Sequence, residues 1–160
     1  MTFAIVVSRW NDEFTSKLAA AAVEALRQAG ADGDSIDIFH VPGSFELPVA
    51  ALKAAKAGNY DAVIALGVVI RGDTPHFDYV AGQTAAGLMQ ASIQTGVPVM
   101  FGVITADNTK QVTQRCGEKS DNKGYEAALS AVETVDALRR IQLRGEERWE
   151  VRRESLFDVV

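Results

Sequence analysis

Four apolar runs rich in β-branched residues alternate with segments of helical periodicity, and this alternation constrains the fold more than any other feature of the chain. The runs are FAIVVS at 3–8, SIDIFHV at 35–41, AVIALGVVI at 62–70 and PVMFGVIT at 98–105. Strands separated by helical segments are typical of parallel sheets with helical crossovers. The first and third runs are almost continuously apolar, as expected where helices cover both faces of a sheet. The pattern predicts an α/β fold, a three-layer α/β/α sandwich with a four-stranded parallel sheet.

The segments between and after these runs predict four helices. We expect them after Asn11 or Asp12 up to Gly30, from about Phe45 to Lys56, from about Phe77 to Gly96, and from about Asn122 to Gln142. The side chain of Asn11 or Asp12 can cap the first helix, and Gly30 can end it. The apolar stripe of that helix consists of Phe14, Leu18, Ala22, Leu26 and Ala29.

Length and composition favour a single domain. With 160 residues, of which 48% are hydrophobic, the chain can bury one substantial core. No internal repeat, low-complexity segment or Pro/Gly/Ser-rich linker divides it. We expect one domain over 1–142, followed by a C-terminal tail over 143–160 whose role is unassigned. The tail is too short to fold alone, so it packs on its own domain, packs on a neighbour or stays mobile.

Charge and cysteine content exclude several classes of partner. The formal net charge of −5 disfavours binding to nucleic acid or to an anionic membrane surface. The longest apolar run, at 62–70, is far too short to span a bilayer, and the N-terminus has no basic segment ahead of a long apolar run. A cytoplasmic location is expected. Cys116 is the only cysteine, so neither an intrachain disulfide nor a Cys-rich zinc site is expected.

Polar and aromatic residues follow each predicted strand, where ligands bind in parallel sheets. The segments are Ser8–Asn11, Val41–Glu46, Arg71–His76 and Ala106–Asn108. Trp10 offers a flat face to a heteroaromatic ring, although simple packing is an equal alternative. Glu46 suits sugar hydroxyls, or it is only a favourable charge in the first turn of a helix.

The segment Arg71–His76 is the richest of the four. Gly72 and Thr74 lie in a tight loop that enters a helix, an arrangement that suits a phosphate or is only a helix-entry turn. Neither GxxxxGK[ST] nor GxGxxG occurs, so no sequence motif indicates an ATP or dinucleotide site. His76 is the natural proton carrier near pH 7, or else a polar residue at a helix start. His40, within a strand, is expected to be partly buried and structural.

Two cations flank the last predicted loop, RCGEKSDNK. Arg115 and Lys123 can bind a phosphate, although solvated surface cations are the commoner fate of such residues. Residue chemistry alone therefore leaves their role open.

Five segments in order carry a resemblance to a known family. They are VVSRWN at 6–11, VPGSFELPVAA at 41–51, ALGVVIRGDTPHFDYV at 65–80, VPVMFGVITADN at 97–108, and QRCG followed by NKGYEAALSAVE at 122–133. Together they resemble the lumazine synthases from Phe3 to about Arg140. The resemblance implies a flavodoxin-like subunit with a four-stranded parallel sheet. It also implies a homo-oligomer of at least five subunits, with each site lying between two of them.

The resemblance assigns a role to each candidate residue. Trp10 would stack on a pyrimidine, with Ser44, Phe45 and Glu46 holding its ribityl chain and ring. Val69 and Ile70 would line the site, and His76 would transfer protons. The phosphate would bind at Gly72, Asp73 and Thr74. The neighbouring subunit would contribute Phe101, Arg115 and Lys123. His76 and Arg115 are the expected catalytic residues.

The implied reaction is a transferase step in riboflavin biosynthesis, the penultimate one. It condenses 5-amino-6-(D-ribitylamino)uracil with 3,4-dihydroxy-2-butanone 4-phosphate to 6,7-dimethyl-8-ribityllumazine, phosphate and water. The substrates are small molecules, and no metal or cofactor is expected.

Three residues depart from the commoner family pattern. Trp10 stands where phenylalanine is usual, Asp73 where alanine is usual, and Cys116 where alanine is usual. The larger indole of Trp10 suits riboflavin binding as a side property. A flavin or lumazine carrier is therefore an alternative to the enzyme. A structural assembly protein on the same fold is a further alternative. Because the chain begins almost directly at its first strand, pentamers are expected, while a decamer or an icosahedral shell remains open.

Overall fold

A four-stranded parallel sheet forms the centre of the protein. The computed structural model describes residues 1–157, with side chains to residue 149. The strands are β1 (Phe3–Ser8), β2 (Ile36–Val41), β3 (Ala62–Ile70) and β4 (Val99–Ala106). Their order is β2-β1-β3-β4, and every neighbouring pair runs parallel. The predicted strand positions and sheet are confirmed.

Helices cover both faces of this sheet. They are α1 (Asp12–Gln28), α2 (Leu47–Lys56), α3 (His76–Thr95), α4 (Thr109–Thr113) and α5 (Lys123–Phe157). Successive residues of β3 face opposite layers, so Ile64 packs in the α1 and α5 core while Val63 packs in the α2 and α3 core. The predicted α/β/α sandwich is therefore confirmed. No helix in the described part of the chain is long and apolar enough to cross a membrane.

The first helix follows the predicted apolar stripe except at its end. Phe14, Leu18, Ala22 and Leu26 are buried, but Ala29 is exposed because it is the C-cap residue beyond the last helical turn. Gly30 then adopts a φ of 91°, which a residue with a side chain rarely adopts. The helix also crosses α5 very closely, since a Cβ built on Gly124 would lie 2.1 Å from the carbonyl oxygen of Leu18.

The last helix is longer than predicted. The expected end at Gln142 is wrong, because α5 continues to Phe157. Gly145 weakens a helix by only about 1 kcal/mol. The Gln142 amide also donates to the Glu146 carboxylate at 3.0 Å across this point. The predicted domain boundary at 142 thus falls inside one continuous helix, while residues 158–160 lie outside the described residues.

The second predicted helix begins with a different turn. Residues Ser44–Glu46 form a 3-10 turn, and α2 starts only at Leu47 with Pro48 in its first turn. Proline suits that position because the first amides of a helix have no partner within it. The short helix α4 was not predicted. Asn108 caps it, because its side chain accepts a hydrogen bond from the Gln111 amide at 3.0 Å.

Strand β2 forms an uncovered edge of the sheet. Ile38 and Phe39 are 43% and 45% exposed, and His40 is exposed as well. The expectation that His40 is partly buried is therefore wrong. Among the described residues, its strand pairs only with β1. The helices leave the middle of the strand exposed, while Ile36 and Val41 at its two ends pack against the two cores.

Candidate active site

A cavity of about 230 Å³ lies at the carboxyl ends of β1 and β3. Seven of the predicted site residues line it, namely Trp10, Ser44, Val69, Ile70, Gly72, Thr74 and His76. These residues come from three separate segments of the chain. The folded sheet brings the segments together because its parallel strands end at the same edge.

A second cleft, of about 560 Å³, holds the other predicted group. Phe101, Arg115 and Lys123 line it between β4 and the start of α5. The backbone fixes the two cations side by side, since the Lys123 amide donates to the Arg115 carbonyl oxygen at 2.9 Å. Within one chain the structure therefore gathers the predicted residues into two half-sites and does not bring Arg115 into the cavity of His76.

Both cations of the second cleft already have partners within the chain. Lys123 Nζ lies 2.8 Å from a Glu126 carboxylate oxygen, and Arg115 Nη1 donates to the Gln111 carbonyl oxygen at 3.2 Å. Lys123 is half-buried, while Arg115 is exposed. An anion that enters this cleft would meet two positive groups at its wall, together with the carboxylates of Asp121 and Glu126.

Three predicted residues lie beside the first cavity rather than in its lining. Phe45 is 55% exposed, Asp73 is exposed and Glu46 is half-buried. The Gly43 amide donates to the Glu46 carboxylate at 2.9 Å. Glu46 therefore has a structural role at the start of the turn Ser44–Glu46. A carboxylate accepts several hydrogen bonds, so this contact leaves Glu46 with capacity for a ligand hydroxyl.

The indole of Trp10 is held at the cavity mouth by the neighbouring loop. The amides of Arg9 and Trp10 donate to the carbonyl oxygens of Val41 and Pro42, at 2.8 and 3.0 Å. The indole is 65% exposed although its backbone is fixed. A flat apolar surface thus stands open beside a cavity that also contains an imidazole.

Asn11 has a role that sequence reasoning missed. It adopts a left-handed conformation with φ 64° and ψ 41°, and its side chain does not cap α1, so the predicted cap is wrong. Its Nδ2 instead donates to the Val68 carbonyl oxygen at 3.1 Å, which ties the end of β1 to β3 inside the cavity wall. The tolerance of asparagine for this conformation, directly after a strand, was the available signal.

The loop at residues 72–74 is open to an anion. Among the described residues, no acceptor is bonded to the amides of Gly72, Asp73 and Thr74. The loop leads into the N-terminus of the 20-residue helix α3, which carries a partial positive charge. Free amides beside that terminus match the chemistry of phosphate binding.

Two buried hydroxyls lie near Gly67, and one of them belongs to Ser44 of the cavity lining. Within the described part of the chain, the Ser8 and Ser44 hydroxyls have no hydrogen-bond partner. A Cβ built on Gly67 would lie 2.6 Å from the Ser44 oxygen and 3.3 Å from the Ser8 oxygen. Glycine at 67 therefore keeps the space that these hydroxyls face, and the Ser44 carbonyl oxygen is itself held by Thr84 Oγ1 at 3.0 Å.

Cys116 fits a packing role against the core between the sheet and helices α1 and α5. The side chain is half-buried, and this burial raises the pKa of the thiol against the opposing effect of Lys17. A raised pKa keeps the thiol protonated and therefore weakly nucleophilic at neutral pH.

Fold and site together define an α/β protein with a cavity of polar and aromatic residues at the carboxyl ends of its parallel strands. The 6,7-dimethyl-8-ribityllumazine synthase family model matches residues 1–139. The chain belongs to this family. The match ends within α5, so residues 140–157 of that helix lie outside it.

Relatives of the same description are similar over most of their length. The 6,7-dimethyl-8-ribityllumazine synthase of Chlorobium luteolum is 50% identical over 139 residues, which are 87% of this chain and 90% of the relative. That of Syntrophus aciditrophicus is 50% identical over 141 residues, or 88% and 92% of the two chains. That of Chlorobium phaeobacteroides is 49% identical over 138 residues, or 86% and 89%.

Proposed function

We propose that the chain condenses 5-amino-6-(D-ribitylamino)uracil with 3,4-dihydroxy-2-butanone 4-phosphate, giving 6,7-dimethyl-8-ribityllumazine, phosphate and water. The observation that carries this proposal is one cavity lined by an exposed indole, an imidazole and a loop with free amides. These three groups match the three demands of the reaction, which are to bind a pyrimidine, move protons and hold a phosphate.

The pyrimidine is assigned to the end of the cavity at Trp10. Its ring stacks on the open indole, which gives an aromatic ligand both apolar contact and a preferred orientation. The ribityl hydroxyls lie against Ser44 and Glu46, where a buried hydroxyl and a carboxylate with spare acceptor capacity are available. Phe45, Val69 and Ile70 supply apolar contact to the same ligand.

The phosphate of the second substrate is assigned to residues 72–74. Backbone amides do the binding there, because the exposed carboxylate of Asp73 would repel an anion. The ketone then lies between this loop and the 5-amino group of the pyrimidine. That amine attacks the ketone carbon, and loss of water gives an imine between the two substrates.

His76 is assigned the proton transfers that follow. It removes and returns protons as the imine rearranges and phosphate leaves, and Arg115 balances the charge of the departing phosphate. Phosphate loss leaves an enol that tautomerises to a methyl ketone. The ribityl-bearing nitrogen adds to this ketone carbon, and a second molecule of water leaves as the second ring closes. Both substrates are intrinsically reactive, so most of the acceleration comes from holding them in orientation, with acid–base catalysis adding about 10²- to 10⁴-fold at most.

The complete site is assigned to two subunits. One chain alone separates Arg115 and Lys123 from the cavity of His76, so the second half-site is completed by a neighbour. Two distinct apolar surfaces support such an assembly: the edge at β2, with Ile38 and Phe39, and the face of α3, with Tyr79, Met89 and Ile93 exposed by 61% or more. Different surfaces that meet head to tail form a ring when the rotation between subunits closes, and from the family resemblance we infer a ring of five.

Some expectations remain predictions. They are the cytoplasmic location, the division of the chain at residue 142, catalysis without metal or cofactor, and any assembly of pentamers into a larger shell. Riboflavin binding as a side property is supported by the open indole of Trp10, which is large enough to stack on an isoalloxazine ring.

The deciding experiment follows lumazine absorbance after the purified protein is mixed with both substrates. We expect a rate above the uncatalysed background that saturates with each substrate. Mass photometry of the same sample reports the subunit number, for which we expect multiples of five. A rate equal to that of the heat-denatured protein would overturn the proposed function.

A further inference from the structure

Arg71 follows β3 directly and connects three elements around the cavity. Its amide donates to the Ala106 carbonyl oxygen at 2.9 Å, which fixes its backbone to the end of β4. Its Nε donates to Asp107 Oδ1 at 3.0 Å. Its Nη2 and Nη1 lie 3.1 and 3.3 Å from the two carboxylate oxygens of Asp78, in the first turn of α3.

The same guanidinium also supports the cavity wall. Its Cζ lies 4.1 Å from the centroid of the Phe77 ring, a distance typical of cation–π contact. Phe77 lines the cavity next to His76. Arg71 itself is absent from the lining, so it contacts the wall from outside.

The loop that Arg71 begins has few bonds of its own. Between Arg71 and the start of α3, the described residues give one further loop hydrogen bond, from the Asp78 amide to the Pro75 carbonyl oxygen at 3.0 Å. The amides of residues 72–74 are left for a ligand. The position of the loop therefore depends on how its two ends are fixed, and Arg71 fixes both ends through Asp78 and Asp107.

Stability is a poor explanation for this arrangement. The Arg71 side chain is 42% exposed, and ion pairs that open to solvent contribute little to folding. Their geometric effect is different, because a planar guanidinium that binds two carboxylates at once fixes their relative positions. The contacts of Arg71 thus define where the loop and the first residue of α3 lie.

We propose that Arg71 is a positioning residue that holds the anion-binding loop and His76 in their reactive arrangement. This inference rests on the proposed function, since it names what the loop and the imidazole are positioned for. It predicts that loss of Arg71 affects the butanone phosphate more than the pyrimidine. Loss of Arg71 disturbs phosphate capture and proton transfer, whereas the pyrimidine contacts at Trp10 and Ser44 belong to other segments.

The test compares Arg71→Ala with Arg139→Ala in the assembled protein. Arg139 is a matched control, because it is 52% exposed and pairs with Asp61 at 2.7 Å near the opposite end of the sheet. We expect Arg71→Ala to raise the KM for the butanone phosphate and lower kcat, with a combined loss of about 10- to 100-fold. The KM for the pyrimidine should change less than twofold or so, and Arg139→Ala should match the wild type.

Further variants separate positioning from direct contact. Asp78→Ala combined with Asp107→Ala leaves the charge of Arg71 in place but removes both of its side-chain acceptors, and it should reproduce most of the loss. Adding Arg71→Ala to that pair should cost little more, because the three residues act as one unit. Arg71→Lys should restore only part of the activity, since an ammonium cannot span both carboxylates.

Inorganic phosphate provides a readout that does not depend on turnover. Its affinity, measured by calorimetry, should fall about tenfold in Arg71→Ala and remain unchanged in Arg139→Ala. If the wild type makes no lumazine, the proposed function fails, and this binding comparison still decides the role of Arg71. Equal losses for both substrates, full activity of the Asp78/Asp107 pair, or full rescue by lysine would each overturn the positioning role.

Discussion

The backbone of Gly43 lies directly against the indole of Trp10. A Cβ built on Gly43 would be only 2.5 Å from Cε3 of the ring and 2.7 Å from Cζ3. The φ of Gly43 is −136°, which any residue adopts, so close packing rather than backbone conformation requires glycine here. One loop residue thus sets the position of the proposed stacking surface.

Substitution of Gly43 by alanine should therefore displace Trp10 without unfolding the protein. We expect the KM for the pyrimidine to rise roughly 3- to 10-fold, as expected when an aromatic contact is lost, with little change in the KM for the butanone phosphate. Titration of riboflavin, followed by its fluorescence, should show a parallel loss of affinity. Gly33→Ala is the control, since its Cβ would have no neighbour closer than 4.0 Å. An unchanged pyrimidine KM would contradict the stacking role.

Removal of the imidazole should slow the reaction without abolishing it. In His76→Ala we expect kcat to fall by up to about 10²- to 10⁴-fold, while both KM values stay within a few fold. Activity above background should remain, because the two substrates are still held together. Circular dichroism and mass photometry verify fold and assembly. A correctly assembled variant with no residual activity would show that orientation of the substrates contributes less to the rate than proposed.

Mixing two defective variants tests the shared site. His76→Ala and Arg115→Ala are unfolded together in equal amounts, refolded and assayed. If each site uses His76 of one subunit and Arg115 of the next, about one quarter of the sites in the mixed rings carry both native residues. Activity should then rise well above that of either variant refolded alone. No recovery, in an experiment where refolded wild type regains activity, would place both residues in the same subunit.

Asp61 should make the stability depend on pH. Burial by itself raises the pKa of Asp61, but hydrogen bonds from the Thr2 amide and Arg139, with the nearby positive charges, lower that pKa overall. A lowered folded-state pKa stabilises the protein above the unfolded value of about 3.9 and loses this effect as the pH falls through the folded value. Asp61→Asn should therefore lower the urea midpoint at pH 7, which corresponds to a loss of less than about 1 kcal/mol in the free energy of unfolding. The same substitution should have a smaller effect below about pH 4.

The control for this measurement is Asp34→Asn, an exposed carboxylate on the short turn Gly33–Ser35. Its effect on the urea midpoint should be small at every pH. A pH-independent effect of Asp61→Asn would show that its hydrogen bonds matter through shape rather than through charge.

The sheet was predictable because its strands carry an unambiguous pattern. The runs at Phe3–Ser8 and Ala62–Ile70 are apolar throughout and end at polar residues, so their limits agree with the structure. The end of α5 was not predictable in this way. Gly145 resembles a stop signal, but a helix continues through a glycine when its flanking residues form helix well.

The site was predictable in content but not in arrangement. Residues that follow strands were expected at one rim, and five of the predicted site residues among them line one cavity because parallel strands share an edge, namely Trp10, Ser44, Gly72, Thr74 and His76. The resemblance already assigned Arg115 to a neighbouring subunit, but no local pattern predicts its separation from that cavity, because this depends on where β4 lies in the sheet. The contact of Arg71 with Asp107 joins residues 36 apart in the sequence and has the same origin.

The extension of α5 beyond the family match gives each subunit a built-in spacer. Residues 140–157 rise by roughly 27 Å at 1.5 Å per residue, and the side chains of Ile141, Leu143 and Trp149 along it are mostly exposed. A fluorescent protein or peptide fused after this helix would be carried at a distance from the catalytic body of its subunit. If the proposed ring forms, it would carry several copies of the fused protein, each at the end of a helix of the same length.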